Sequence, residues 1–285
     1  MKDNFMISVV LTTHDRPIKI LERSLNSVLC QTYINYEIVV VDTSNNLSLA
    51  TSKLKHVLSL DRKNIWIKHR PGLNNNQARN YGASISKGNY IAFLDDDDEW
   101  ACNKLENQIL ALKKGISMVY SNYEIYDTNG SKHLFLKEAP DDCNLDIRVL
   151  GENVIGCTSM PLISMTSFFD IGGFDESLKA NQEWDLWIRM LQKHDVIYSP
   201  EIAGIKHKSQ DGISNNRYRR ASGWFSLFIK HANKYKMNPE QFICATGFFY
   251  DEMFKKKLFL IGTATFLTHW LFKITHSKTA TRHEN

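Results

Sequence analysis

The sequence is poor in the features that mark several common protein classes. Five cysteines occur in 285 residues (Cys30, Cys102, Cys143, Cys157 and Cys244), and no two form a Cys-x-x-Cys pair. Their scatter and odd number suggest neither a disulfide framework nor a zinc knuckle, and predict a reducing, cytoplasmic setting. No Gly-x-Gly-x-x-Gly follows the first strand-like run, which disfavours a dinucleotide-dependent dehydrogenase. Internal repeats and low-complexity tracts are missing. No recognition helix, zinc finger or RNA-binding signature occurs, so nucleic acid is not an expected partner even though Tyr218, Trp224 and Phe225 interleave with basic residues. The apolar run that begins near residue 5 is too short and wrongly flanked for a signal peptide. A second run, Leu258–Ile274, has 17 residues, the lower limit for crossing a bilayer.

What the chain does contain fits a globular protein, either one large domain or a domain with an appendage: 43% of residues are hydrophobic and 23% charged. The net charge of +4 is unevenly spread, about −5 before residue 203 and +9 from there on. A basic C-terminal third suits an anionic partner, a membrane surface or a phosphate-bearing ligand. Within it, Lys255-Lys-Lys257 precedes the apolar run, and Thr265, His269 and Lys273 recur at helical spacing as a polar stripe. That pattern favours a helix lying on a membrane over a packing helix or a span.

Hydrophobic periodicity predicts buried strands at Ile7–Thr13 and Glu37–Asp42, a short strand at Ile65–Lys68 and another running into Asp95. Helices are predicted at Lys19–Leu29, Thr51–Leu60 and Gln77–Ser86 between them. Further along, the pattern predicts a helix over Asn103–Lys113, a strand over Met118–Tyr126, turns at Asp127–Gly130 and Gly172–Asp175, and a helix over Trp184–Lys193. The stretch Lys132–Val154 reads as loop-rich. Strands alternating with helices predict a doubly wound, mostly parallel α/β sheet, whose ligands sit outside the carboxyl ends of the strands. Asp42 and Asp95 both stand at such ends.

Asp95-Asp-Asp-Asp98 is the most informative segment. Four adjacent carboxylates repel one another, so the cluster needs either a solvated turn or a compensating cation. Delivered by a buried strand to the ligand-binding edge of a sheet, it favours a divalent metal over a solvated acidic loop.

Five segments in order then resemble the family 2 glycosyltransferases, inverting enzymes of the GT-A fold that use nucleotide sugars. The first two are Ser8-Val-Val-Leu-Thr-Thr-His-Asp-Arg-Pro17 with Ile38-Val-Val-Val-Asp42, and Gln77-Ala-Arg-Asn-Tyr-Gly82. Next come Phe93–Asp98 with Trp100 and Lys104-Leu-Glu-Asn-Gln108. Gly172-Gly-Phe-Asp175 and Gln182-Glu-Trp-Asp-Leu-Trp-Ile-Arg189 complete the set. The resemblance covers roughly residues 5–210. It implies a GT-A domain at 1–210; residues 211–285, outside the resemblance, are expected to form a helical, basic region, which the charge and apolar pattern suits to a membrane surface or to packing.

Residue roles follow from the same resemblance. Asp42 would accept from uracil or ribose, though an aspartate there also suits a helix N-cap. Arg79 would approach the base or diphosphate, with a surface arginine as the alternative. Thr13 and Asp15 would contact the base. Asp95 would hold ribose or a metal-bound water, and Asp97 would ligate Mg²⁺ or Mn²⁺. Asp98 would orient the sugar or cap the next helix. His207 would sit near the metal or diphosphate, or be a solvated surface histidine. Glu183 is the expected base, with Asp185 second to it and Trp184 offering an apolar sugar face on the acceptor side. Glu183 stands where the family usually has Asp, which moves the carboxylate by about 1.5 Å. Thr12-Thr-His-Asp-Arg16 and Asp42-Thr-Ser-Asn45 also depart from the usual Pro-Thr-Tyr-Asn-Arg and Asp-Asp-Gly-Ser.

The expected activity is metal-dependent, inverting transfer from a UDP-sugar to a lipid-linked glycan in bacterial polysaccharide or O-antigen assembly, on the inner face of the cytoplasmic membrane. A nucleotidyltransferase and a catalytically silent nucleotide-sugar or membrane-binding module are the alternatives.

Overall fold

Strands rich in β-branched residues fold as the buried centre of a sheet. The computed structural model describes residues 5–60, 64–127, 129–135, 144–208 and 216–255. Its first half alternates β1 (Ile7–Thr13), α1 (Ile18–Leu29), β2 (Tyr36–Asp42), α2 (Leu47–Ser59), β3 (Ile65–His69), α3 (Asn75–Ser84) and β4 (Tyr90–Asp95). β1 and β2 are buried at all seven positions each, as strands covered on both faces must be. The second half contains β5 (Glu99–Trp100), α4 (Lys104–Ala111), β6 (Met118–Tyr126), β7 (Lys132–Phe135), α5 (Leu145–Gly151), β8 (Leu162–Ser164) and α6 (Met165–Asp170). It continues with α7 (Gln182–Leu191), β9 (Val196–His207), α8 (Arg217–Lys230), α9 (Ala232–Met237) and α10 (Pro239–Lys255).

The sheet order is β3-β2-β1-β4-β8-β6-β9-β5, with β7 on β6. β1 to β4 are mutually parallel, and β8 joins β4 and β6 antiparallel. Register positions the site: Thr13 lies opposite Asp42 and Thr12 opposite Asp95, so three strands end at one level.

Helix boundaries differ from the periodicity where capping decides. The Asn46 side chain accepts from the N–H groups of Ser48 and Leu49 and starts α2 at Leu47 rather than Thr51. A capping box between Asn74 and Gln77 starts α3 two residues before Gln77. The segment read as loop-rich contains β7 and α5. The C-terminal helices do not form a body apart: Trp224, Leu227, Ala245 and Phe249 share one core cluster with Val10, Phe93 and Trp187. The core therefore runs past residue 210, the boundary expected from the resemblance. Among the described residues no helix is long and apolar enough to cross a membrane, and the run Leu258–Ile274 lies outside them.

The cysteine expectation needs correction. Cys30, at the end of α1, is bonded to Cys102, with their Cα atoms 5.3 Å apart. A pair 72 residues apart leaves no local spacing signal, and cysteine usage thus offers no argument for a reducing setting.

Candidate active site

The carboxyl ends of β1, β2 and β4 bring together Thr13, Asp42 and the acidic run. Asp42 is buried, and its Oδ1 accepts from the N–H and Oγ of Ser44 at 3.1 and 2.5 Å. Lys53 of α2 lies 3.3 Å from the same oxygen. The Lys53 ammonium, wholly buried, also donates to Thr13 Oγ1, the His14 carbonyl and Ser44 Oγ. These bonds fix one carboxylate oxygen of Asp42 and leave the other, Oδ2, buried without a partner. Asp42 is therefore more than a helix cap, since Asn46 caps α2.

Arg79 is not a surface side chain. It is 2% exposed, donates to Asp95 Oδ1 at 2.5 Å and lies 5.3 Å from the centre of the Phe174 ring. Its Nε and Nη1 are buried and unpartnered. Two other α3 residues dock the glycine turn: Asn80 exchanges hydrogen bonds with the Phe174 backbone, and Asn76 donates to the carbonyls of Asp175 and Leu178. Gly172 and Gly173 have φ of 82° and 66°, which glycine adopts without the Cβ penalty.

The four acids have different surroundings. Burial raises the Asp95 carboxyl, but Arg79, Lys206 and Arg16 together outweigh it and hold the group below its usual value. Asp96, which the sequence reading passed over, accepts from Thr13 Oγ1 at 2.6 Å and is pushed by burial to about 6. Asp97 is raised by burial and by Asp95, and its Oδ2 lies 3.1 Å from Arg16 Nη2. Asp98 is buried, accepts from Ser159 Oγ at 2.5 Å and from the His207 N–H at 3.3 Å, and is pushed by burial to about 7. It neither caps α4 nor reaches solvent, so the expectation that it orients the sugar is corrected: it joins the acidic run to Ser159 and β9. Asp15 accepts from the Asn46 N–H, which lowers its carboxyl, and the bond orders the turn before α2 rather than leaving Asp15 turned to a base.

His207 Nε2 pairs with Glu99 Oε1 at 2.6 Å. That nitrogen is spoken for, so the ligand role expected of it is not what this geometry provides. Its neighbour Lys206 was missed. Burial favours the neutral amine, but the charges of Asp98 and Asp95, with Glu183 farther down the order of influence, raise it above its usual range.

α7 separates the expected acceptor residues. Trp184 is core, with its indole N–H donating to the Val149 carbonyl and its ring edge-on to Trp224 at 4.9 Å. Its expected role as a sugar platform is therefore corrected. Asp185 is fully buried and held by Arg189, Lys230 and His231, with its nearest contacts between 2.6 and 2.9 Å. These partners outweigh burial and keep its carboxyl far below the ordinary range, which removes it as a base. Glu183 is half-buried and has no hydrogen bond or ion pair with another described residue. The signal that could separate the two acids is helical geometry: two residues on, a side chain points about 200° away.

Among the described residues no three His, Cys, Asp or Glu side chains form a ready metal cage. Mg²⁺-type sites use one or two carboxylates and take the remaining oxygens from water and substrate phosphates. Asp95 and Asp97 carry hard oxygen donors of the kind such sites use.

The profile of Glycosyl transferase family 2 matches residues 8–167. UDP-Glc:alpha-D-GlcNAc-diphosphoundecaprenol beta-1,3-glucosyltransferase WfgD of Escherichia coli is 30% identical over 227 residues, covering 76% of this chain and 83% of that protein. The putative colanic acid biosynthesis glycosyl transferase WcaA of Escherichia coli K12 is 29% identical over 250 residues, covering 82% and 84%. In fold, the mannosyltransferase PcManGT from Pyrobaculum calidifontis, in complex with GDP-Man and Mn²⁺, aligns with a TM-score of 0.63 at 14% identity, covering 97% of this chain and 80% of that one. TarS 1-349 of S. aureus in complex with UDP-GlcNAc aligns with a TM-score of 0.61 at 15% identity, covering 96% and 92%. The mixed sheet with its acidic edge is the GT-A arrangement, and with the profile spanning more than half of the sequence, the chain belongs to glycosyltransferase family 2.

Proposed function

We propose that the protein is an inverting glycosyltransferase that moves a sugar from a UDP-sugar to a lipid-linked saccharide in bacterial surface polysaccharide assembly. One observation carries the donor side: Asp42 Oδ2, at the end of β2, and the Nε and Nη1 of Arg79, on α3 and bonded to Asp95 at the end of β4, are buried and unpartnered. Orphaned groups of this kind cost about 1–3 kcal/mol each, a cost that a bound ligand removes. The acceptor atom on β2 suits the imide N–H of uracil, and the two donors on α3 suit the oxygens of a ribosyl diphosphate. The E. coli relatives, one acting on a diphosphoundecaprenol-linked sugar and one assigned to colanic acid, support the lipid-linked acceptor and the polysaccharide setting.

Asp97, with Asp95 beside it, would hold Mn²⁺ or Mg²⁺. When bound, the cation offsets carboxylate repulsion and the negative charge that develops on the departing UDP. Glu183 takes the proton of the acceptor hydroxyl as its oxygen forms the new bond to the anomeric carbon and the bond to UDP breaks, giving inversion in one displacement. Arg189, Lys230 and His231 keep Asp185 fixed, and α7 with it, so Glu183 is carried on a rigid element. Membrane contact through residues 256–285 belongs to the same reading and lies outside the described residues.

Thermal unfolding with UDP, with Mn²⁺, with both, and with GDP plus Mn²⁺ tests the donor site. Ligand at a hundred times Kd stabilises by about 2.7 kcal/mol, roughly 5–10 °C for a chain of this size. The expected shift requires UDP and Mn²⁺ together and disappears in Asp97→Ala. Glu183→Gln is expected to keep the shift and lose sugar transfer; retained transfer would remove Glu183 as base.

A further inference from the structure

Asn181 and Gln182 precede Glu183 and pose a problem that folding alone does not solve. Asn181 occupies the N-cap of α7 with φ 57° and ψ 23°, yet its side chain makes no capping bond. It is the one non-glycine residue with positive φ among the described residues. A left-handed conformation costs most residues with a Cβ about 1–2 kcal/mol, and asparagine less, chiefly where its side chain bonds locally. Its side chain offers nothing in return, because Nδ2 is buried and unpartnered in a residue that is 3% exposed. Gln182 Oε1 is likewise buried and unpartnered. Two successive amide side chains, next to the half-buried Glu183, thus carry buried polar atoms that no described residue satisfies.

The surroundings are firmly held, so looseness is not the explanation. The Asn181 carbonyl accepts from the Asp185 N–H at 3.0 Å, and Asp185 is bound by Arg189, Lys230 and His231. Before the helix, Ala180 meets Gly223 of α8 so closely that a Cβ at 223 would lie 2.7 Å from the Ala180 Cβ. Glycine at 181 would relieve the backbone, and an apolar side chain at 182 would remove one orphan. Strain and unsatisfied polar groups at consecutive positions mark a site whose partner is a ligand.

We propose that the Asn181 amide and Gln182 Oε1 form the acceptor subsite, recognising hydroxyl groups of a sugar and holding its nucleophilic hydroxyl against Glu183. The inference rests on Glu183 as the base. Asn181 supplies a donor and Gln182 an acceptor, the pair that adjacent sugar hydroxyls match because each hydroxyl can do both. A phosphate or carboxylate does not fit, since Gln182 Oε1 and the Glu183 carboxylate would both repel it. The ligand is therefore the neutral terminal sugar ring of the acceptor, not its diphosphate.

Asn181→Gly and Gln182→Met test the assignment. Wild type is run with UDP-glucose, UDP-galactose and UDP-GlcNAc against GlcNAc-diphosphoundecaprenol in detergent micelles and methyl glycosides of GlcNAc, glucose and galactose; the pair it turns over is used for the variants. The expected result is a rise in acceptor KM of about tenfold in each variant, one hydrogen bond to a buried group, with donor KM, the UDP–Mn²⁺ melting shift and the melting temperature of unliganded Gln182→Met near wild type, and that of Asn181→Gly equal or higher. Acceptor KM within twofold of wild type in both variants overturns the subsite, as does a parallel rise in donor KM. Glu183→Gln separates the two readings: if it retains transfer, the base assignment fails, whereas loss of transfer there with unchanged acceptor KM in the other two rejects the subsite alone. No turnover by wild type with any pair overturns the activity on which the subsite depends.

Discussion

Lys53 gives the sharpest test of how the proposed donor site is built. Its ammonium is wholly buried and contacts Thr13 Oγ1 at 3.1 Å, the His14 carbonyl at 2.7 Å, Ser44 Oγ at 2.9 Å and Asp42 Oδ1 at 3.3 Å. Lys53→Met keeps most of the stem and removes the charge. Breaking a buried ion pair from one side costs about 3–5 kcal/mol, because the surviving charge stays desolvated. Asp42 retains the N–H and Oγ of Ser44, so the lower end of that range, about 3 kcal/mol, is expected here. At roughly 2–4 °C per kcal/mol the melting temperature falls by about 6–12 °C. In an Asp42→Asn background no buried carboxylate remains to be stranded, and Lys53→Met should cost at least about 1.5 kcal/mol less. Urea unfolding of the four proteins, compared at constant m-value, measures this coupling. A coupling below about 0.5 kcal/mol would mean that the two substitutions act independently, and that Lys53 does not hold Asp42 through its charge.

Stability should respond to pH in two windows. Asp96 is raised to about 6, so its native form binds a proton that the unfolded chain has released above the ordinary carboxylate range; stability is lost as pH rises from about 4 through 6, by on the order of 3 kcal/mol from this group. Asp185 is lowered, so its stabilisation is present above the unfolded value and is lost as pH falls below about 4. Melting curves in EDTA from pH 3 to 8 check both, with Asp96→Asn expected to lessen the upper limb, to which Asp98, raised to about 7, also contributes, and to leave the lower limb unchanged; equal limbs in wild type and variant would refute the part assigned to Asp96. Gly204→Ala should destabilise the protein by more than an ordinary surface change, because the added Cβ would overlap the Glu99 carbonyl oxygen and push β9 from β5; an unchanged urea midpoint would contradict this. Reducing the Cys30–Cys102 bond removes a 72-residue constraint worth up to about 4 kcal/mol, measurable as a melting shift between oxidised and reduced protein at matched pH.

The strand ends were legible in sequence because burial on both faces writes a continuous apolar run that stops where polar chemistry begins. Asp42 and Asp95 could be placed that way, and the register confirms that their strands end at one level. Lys53, Ser159 and Arg16 could not be given roles. A single lysine in a helix reads as solvated, and its partners here belong to the two turns after β1 and β2. Ser159 earns its place through contacts with Asp95 and Asp98, more than sixty positions away in each case. The pairing of Cys30 with Cys102 escaped notice for the same reason. Local pattern reports burial and period; it carries no record of which distant polar group completes a site.

α7 shows the limit most clearly. Every residue from Trp184 to Ile188 is buried, so periodicity does not reveal a single inward face. Glu183 and Asp185 nevertheless point in nearly opposite directions, because two helical steps turn about 200°. Only one of them can meet a substrate while the other is enclosed, and the choice depends on Lys230 and His231, contributed from the end of α8. That same Lys230 also binds Asp175 in the glycine turn, whose Phe174 lies over Arg79, which in turn holds Asp95. The ordered segments that resemble the family are thus linked through side-chain contacts rather than merely arranged along the chain. A substitution at Lys230 would therefore loosen both the support of Glu183 and the turn that covers Arg79, coupling the proposed acceptor side to the proposed donor side without a residue of its own in either.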